Sequence, residues 1–488
     1  METVNRLSGM QDASPSEKSK RESLSRSLRD LLSLRGYQAV DTPLLEETEL
    51  FLRKSGGELA AQMYSFNDPG GNRVSLRPEF TASVIRAYLA NNSIDAFPYR
   101  LQYCGPVFRH RGLDDVSIQH QITQIGAELI GAASPLADVE ILSLACEGLG
   151  LSKIPNTHLA IGHVGSVSGL LSGFGISDRA RLFLLSSIAT LKISGVDATD
   201  VIRAKATELG LLADLSVSGS DIPSDLTTEQ AKAIVGSLMR DSATAPLGSR
   251  TQEEILARFL GKLRGADKPA NFERALEFIS RLAIASGTPS EVLQVTLDLV
   301  REYKLDANEL TACRTVVELL DGRGLSSSVV LDFGLVRGIA YYTGLVFEIR
   351  SDALAGGLPL CGGGRYDSLP RDLGSARDIP ALGFAWSLER MLDACDPEVE
   401  IDDIGSGEGV LVALEKESTG TTFTELNDAF TNACAVVRRL NEQGIIAETD
   451  VLSRSLSENI EQARIRGFTA VITVDGKGNE KTYKISTD

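Results

Sequence analysis

The stretch from Ile118 to Ile130 is the most informative in the sequence. Read as a strand, its side chains alternate, so Ile125, Ala127 and Leu129 fall on one face while Gln124, Gly126 and Glu128 fall on the other. An apolar face backed by an amide and a carboxylate with a glycine gap between them is the pattern of a sheet floor lining a pocket. An amphipathic strand with a solvated outer face would show the same alternation. The metal-ligating residue types are arranged differently. Cys104, Cys146, Cys313, Cys361, Cys395 and Cys434 stand singly, without the paired spacing of a zinc site or a disulfide framework, and read as reduced, mostly buried thiols. With His110, His120, His158 and His163 as the only histidines, no metal is expected.

The elements that must hold that strand in place are legible in outline. Ser14-Pro15-Ser16-Glu17 has the form of a capping box with proline at the first helical position, and Leu24, Leu28, Leu31 and Leu32 follow at helical spacing until Gly36 ends the run. Tyr37 to Leu45 is then extended, with Pro43 suggesting an edge or a strand end. Val74 to Pro78 and Pro106 to Arg109 read as short strands, and Leu331 to Ile349 returns to strand character. Gly362-Gly363-Gly364 marks a tight backbone approach before Arg365-Tyr366-Asp367. Between these, Leu- and Ala-containing helical periods broken by polar stretches (218–224 and 243–249) read as a helical insertion. After a linker at 404–408, the chain from Gly409 alternates strand, helix, strand, helix, strand, as a small α/β domain does.

At 488 residues the chain is too long for one ordinary core. The hydrophobic fraction of 43% and charged fraction of 24% are those of a globular protein, and no apolar run reaches the roughly 20 residues of a membrane span. Met1 to Lys20 lacks the apolar centre of a secretory signal, so the expected location is the cytoplasm. The formal net charge of -17 argues against the whole chain as a docking surface for a polyanion, although a local basic patch remains open.

Several separated segments, taken together, resemble the histidyl-tRNA synthetase family: Leu76-Arg77-Pro78-Glu79-Phe80-Thr81, Phe108-Arg109, Gln124-Ile125-Gly126-Ala127-Glu128, Leu335 to Gly344 (LVRGIAYYTG), Gly363-Gly364-Arg365-Tyr366-Asp367, and Gly383-Phe384-Ala385 followed by Leu388-Glu389-Arg390. The resemblance implies an α+β fold, with a class II aminoacyl-tRNA synthetase-like antiparallel sheet and flanking helices. On that reading 1–164 and 325–400 form the synthetase-like domain, 165–324 a mainly helical insertion, and 405–488 an anticodon-binding-like α/β domain. It also implies a homodimer or larger assembly. By the same resemblance Glu79, Thr81 and Gln124 would hold the ammonium end of free histidine, and Glu128, Tyr342 and Tyr366 would read its ring. Arg109, Arg337 and Tyr341 complete the expected ligand set, and Arg109, Arg337 and Arg390 would be catalytic in an active ligase using ATP and magnesium. The chemistry agrees, because a zwitterion needs acceptors for its ammonium, a cation for its carboxylate and polar partners for an imidazole.

The nucleotide half departs from the family pattern. Arg111 stands where the family has a glutamate that contacts adenine, and the normally basic loop that follows contains Asp114 and Asp115, which would repel a triphosphate. His120 replaces an arginine, Ala340 an aspartate, and Phe80 a small residue beside Glu79. From Ile401 to Asp488 there are 9 Lys and Arg against 15 Asp and Glu, which argues against RNA binding, and Lys477, Lys481 and Lys484 read as solvated strand ends. The resemblance is therefore strongest to a paralogue of the synthetases, the regulatory subunit of ATP phosphoribosyltransferase. That implies a non-catalytic histidine sensor with no cofactor, paired with a short catalytic chain and exerting feedback control on histidine biosynthesis. The alternative is an ATP-dependent histidine-tRNA ligase.

Overall fold

The computed structural model describes residues 5–53, 57–90, 98–110, 119–212, 267–321, 329–335, 341–354, 357–395, 409–415 and 423–485. Arg337, Ala340, Arg111, Asp114, Asp115, the linker at 404–408 and the polar stretches at 218–224 and 243–249 lie outside the described residues. The chain divides into two compact units, Met1–Gly165 with Gly287–Leu293 and Leu310–Asp488, and Ser166–Ser286 with Gln294–Glu309.

The first unit is built on a large mixed sheet. Its strands are β1 (Gln38–Ala39), β2 (Tyr99–Phe108), β3 (Gln121–Ile130), β4 (Thr157–His163), β5 (Val329–Asp332), β6 (Leu345–Ser351), β7 (Cys361–Arg365) and β8 (Ala381–Ser387). They run in the order β1-β2-β3-β8-β7-β6-β4-β5. The centre is antiparallel, whereas β1 joins β2, and β5 joins β4, in parallel. β2 is longer than the strand expected at Pro106 to Arg109, starting seven residues earlier at Tyr99. β1 pairs only as far as Ala39 with Gln102, so β2 is an edge strand at Pro106 and the missing N–H interrupts no ladder.

Three of the helices that flank this sheet bear on the candidate site. The first, α1 (Pro15–Leu34), begins with the expected box: Ser14 N donates to Glu17 Oε2 at 2.7 Å, and Glu17 N to Ser14 Oγ at 3.3 Å. It buries Leu24, Leu28, Leu31 and Leu32 and ends at Gly36, whose φ of +79° favours glycine. α2 (Thr81–Ala90) starts at the candidate site. The third, α3 (Pro135–Leu151), is buried along most of its length. At Gly148 any Cβ would strike the Trp386 ring, and Trp386 Nε1 donates to Ala145 O at 3.0 Å, which fixes β8 against this helix.

The C-terminal lobe of this unit contains β9 (Gly409–Leu414), β10 (Ile446–Thr449), β11 (Ala470–Val474) and β12 (Glu480–Lys484), in the order β10-β9-β11-β12, with helices at Phe423–Glu442 and Leu456–Ile465. The expected alternation is present, with one further antiparallel strand, β12. This lobe meets the large sheet through a buried ion cluster. Arg100 Nη2 lies 2.8 Å from Glu140 Oε2 and donates to Thr449 O at 3.0 Å, and Arg100 Nη1 lies 3.1 Å from Glu448 Oε2. Arg466 also reaches Glu448.

The second unit is mainly helical where described, with helices including Asp178–Ser186, Ala198–Glu208 and Pro269–Ala283. Phe272, Ala275, Leu276, Ile279, Leu282 and Ala283 recur at helical spacing and are buried. Phe174, Phe278 and Tyr303 form an aromatic cluster with ring centroids 5.3 to 5.7 Å apart. Among the described residues, no helix is long and apolar enough to cross a membrane.

Candidate functional site

β3 supplies the floor of the candidate site, as its alternation predicts. Gln124, Gly126 and Glu128 oppose Ser387, Ala385 and Gly383 of β8 on one side, and Gly105, Tyr103 and Leu101 of β2 on the other. The solvated-face reading is excluded, since Glu128 is 0% exposed. Glycines make the room. A Cβ at Gly383 would overlap the Glu128 carboxylate, one at Gly126 would come within 2.5 Å of Tyr103 Oη, and one at Gly363 would overlap the carbonyl of Gly383.

The wall is the turn that begins α2. Arg77 is buried, with its guanidinium donating to Thr42 O at 2.7 Å and Pro106 O at 2.9 Å and lying 3.8 Å from the centre of the Phe80 ring. Phe80 stacks on Tyr103 at 4.3 Å. This clamp sets the next residues. Glu79 accepts from the backbone N–H of Thr81 at 2.5 Å and of Ala82 at 3.0 Å, so it caps α2 while facing Arg109. Thr81 Oγ1 donates to Glu128 Oε1 at 2.7 Å, and the Tyr366 hydroxyl donates to Glu128 Oε2. Tyr341 packs 5.1 Å from Tyr342 and 5.5 Å from Tyr366, ring centre to ring centre.

These side chains enclose a cavity of about 40 Å³ lined by Glu79, Thr81, Tyr103, Arg109, Gln124, Tyr341, Tyr342, Tyr366 and Phe384, together with Gly362, Gly363, Gly383 and Ala385. That volume suits about three water molecules, so a whole amino acid requires the wall to move outward. A far larger cleft, about 980 Å³, lies where β1 meets α2 and the 373–380 loop, but none of the predicted site residues line it.

Burial dominates the electrostatics. It pushes the Glu128 carboxyl up to about 8, against the hydrogen bonds from Tyr366 and Thr81, with the Glu79 charge adding to the rise. Burial also raises Glu79, opposed by its backbone hydrogen bonds and by Arg109. The phenols of Tyr103, Tyr341 and Tyr366 are held well above their usual range for the same first reason.

Eight of the expected residues, Glu79, Thr81, Arg109, Gln124, Glu128, Tyr341, Tyr342 and Tyr366, thus meet in one place. Arg337 lies outside the described residues, and Arg390 donates to Pro359 O at 2.8 Å without lining the cavity. His120 is buried, with Nδ1 2.7 Å from Tyr64 Oη and its ring centre 5.0 Å from that of His110. Sequence reasoning missed Tyr103 and gave Phe384 no role, although it quoted the segment that contains it. The signal for Tyr103 was an aromatic directly opposite the glycine gap on the neighbouring strand, which needs the register to be seen. Glu389, likewise quoted without a role, accepts from Thr123 N and Oγ1, both at 2.8 Å, and braces the start of the floor. No group of three or more metal-ligating side chains occurs among the described residues.

The model of the family described as histidyl-tRNA synthetase matches residues 9–235 and 233–391. The chain belongs to the histidyl-tRNA synthetase family. Within it, the chain is 27% identical over 470 residues to a histidine-tRNA ligase of Methanocaldococcus jannaschii, spanning 96% of this chain and 91% of that one. It is 28% identical over 465 residues to an ATP phosphoribosyltransferase regulatory subunit of Symbiobacterium thermophilum, spanning 95% of each. A crystal structure of an ATP phosphoribosyltransferase regulatory subunit/histidyl-tRNA synthetase from Bacillus halodurans superposes with a TM-score of 0.56 at 20% identity, covering 97% of this chain and 98% of that one. The fold is therefore that of this family, a class II synthetase-like α+β architecture with a large central sheet and flanking helices.

Proposed function

We propose that this family member binds free histidine between α2 and the β3–β8 floor and acts as a sensor, the regulatory subunit of an ATP phosphoribosyltransferase. Histidine occupying the site would shift the assembly toward an inactive state through its differential affinity for two conformations. On this reading the chain needs no cofactor, works in the cytoplasm as a dimer or larger assembly, and partners a short catalytic chain. The observation that carries the histidine assignment is the constellation of Glu79 at the head of α2, Arg109 beside it, and Glu128 flanked by Thr81 and Tyr366. Those groups provide an acceptor for the ammonium, a cation for the carboxylate and a polar partner for the ring. The sensing assignment rests on the loss of nucleotide-facing cations in sequence, with Asp114 and Asp115 in the loop after Arg109, and on the relative from Symbiobacterium thermophilum.

A second reading, an ATP-dependent histidine-tRNA ligase with Arg109, Arg337 and Arg390 as catalytic residues, is favoured by near full-length similarity to archaeal ligases, C-terminal lobe included. Histidine-dependent exchange of pyrophosphate into ATP separates the two. The sensor gives no exchange above a protein-free control, and sustained exchange by the purified chain rejects the sensor in favour of the ligase.

A further inference from the structure

Phe80 stands in sequence between two residues of the candidate site, Glu79 and Thr81, yet it does not line the cavity. Its carbonyl accepts from Val84 N at 2.9 Å, which opens the hydrogen-bond ladder of α2, and its side chain is buried. The ring is sandwiched. On one face the Arg77 guanidinium lies 3.8 Å from the ring centre, and on the other Tyr103 stacks at 4.3 Å with the two planes 11° apart. Two glycines make the arrangement possible. Alternation along β2 puts Gly105 on the same face as Tyr103, and a Cβ there would come within 2.6 Å of Arg77 Nη2 and 3.2 Å of Phe80 Cζ. Gly126 lies opposite Tyr103 on β3, and its bare position leaves space for the phenol to lie across the floor.

The walls of the cavity are held in different ways. Gly362, Gly363, Gly383 and Ala385 belong to the paired sheet, and Thr81 and Tyr366 are tied to Glu128 by hydrogen bonds. Tyr103 donates to Phe384 O at 3.3 Å, which is long for a hydroxyl, so packing on Phe80 fixes its ring. We infer that Phe80 determines the specificity of the pocket without touching the ligand: it holds Tyr103 as a fixed wall, and so sets the largest ligand that fits above the β3–β8 floor. The inference deepens the histidine reading above and rests on it. The enclosed space of about 40 Å³ has to grow to take a whole amino acid. Tyr103 cannot recede to provide that space, because Phe80 fills the region behind it and Arg77 backs Phe80 in turn. Arg77 is itself anchored to Thr42 O at 2.7 Å and Pro106 O at 2.9 Å. Room for the ligand is therefore made on other sides of the cavity, and an extra methyl group that meets Tyr103 finds none.

The test compares L-histidine with three analogues that keep both ring nitrogens and carry one added methyl group, on ring carbon 2, on ring carbon 5 or on the α carbon. Each competes with radiolabelled L-histidine in equilibrium dialysis against the full wild-type, Phe80→Ala and Phe80→Leu chains. The wild type should prefer L-histidine to an analogue whose methyl meets Tyr103 by about tenfold or more, the usual effect of one such group in a packed pocket. In Phe80→Ala the Tyr103 ring leans into the space left behind it, and that preference falls by about tenfold for one or more of the analogues. Phe80→Leu keeps an apolar filler and removes the ring stack, so its preference lies between the two. A residue that merely supports the fold weakens binding of all four ligands in proportion and leaves their ratios unmoved. Ratios equal to wild type in the variants, or a wild type that takes all three analogues as well as L-histidine, overturn the role of Phe80 while leaving the histidine site standing. Where Phe80→Ala does not fold, the ratios of Phe80→Leu decide alone. Absence of saturable L-histidine binding to the wild type overturns the histidine reading and this inference together.

Discussion

Two of the places in the first unit that withdraw glutamates from solvent compensate the charge in different ways. At the joint between the large sheet and the C-terminal lobe, Glu140 and Glu448 share the guanidinium of Arg100, itself held above its usual range by these two carboxylates against the effect of burial. At the floor of the candidate site, Glu128 accepts from the hydroxyls of Thr81 and Tyr366 and faces a second carboxylate, Glu79. A closed ion cluster is complete within the chain and serves the fold. A carboxylate left with neutral donors is tuned for something that arrives from outside, which is why the same residue type reads as structural in one place and as ligand-binding in the other.

The largest effect is expected at the joint. Arg100→Met leaves Glu140 and Glu448 buried without their shared cation and destabilises the fold by about 3–5 kcal/mol in urea unfolding. A loss under about 1 kcal/mol would place Arg100 among weak surface pairs and erase the contrast.

The next effect concerns Glu128 and pH. Its folded carboxyl is raised above the ordinary value, so the folded state holds a proton that the unfolded chain releases, and stability falls as pH rises from about 4.5 to about 8. Glu128→Gln has no such titration. The variant's stability relative to wild type should therefore increase with pH across that window and level off above it, as measured by thermal unfolding in a pH series. A pH-independent difference would mean that Glu128 is already compensated.

The smallest effect is expected at an exposed pair. Arg439 lies 2.6 Å from Glu480 with its side chain half exposed, and Arg439→Ala should change stability by less than about 1 kcal/mol, with the difference shrinking further in salt. A loss as large as that of Arg100→Met would mean that burial does not explain the contrast.

How much of this was legible beforehand depends on the range of the interaction. The capping box at Ser14 and Glu17, the helix stop at Gly36 and the alternation of Gln124, Gly126 and Glu128 are local patterns, and each forms as its spacing requires. The Arg100 joint brings together residues from both ends of the chain, and no spacing announces it. Tyr103 lines the cavity because β2 pairs with β3 in one register, and that register runs through Pro106, which reads locally as an interruption. The Thr81 to Glu128 hydrogen bond joins a residue expected at the ammonium end to one expected at the ring. The family resemblance assigned each of them, but their direct coupling appears when the two elements are packed.

The central claim is that the pocket above β3 takes free histidine through Glu128. Equilibrium binding of radiolabelled L-histidine to the wild-type chain and to Glu128→Ala, side by side near neutral pH, tests it most directly. The wild type should saturate with one histidine per chain. The variant, deprived of a charge-competent hydrogen-bonding partner whose loss costs about 1.5–3 kcal/mol or more, should bind at least about tenfold more weakly. Undiminished affinity in Glu128→Ala would contradict the account.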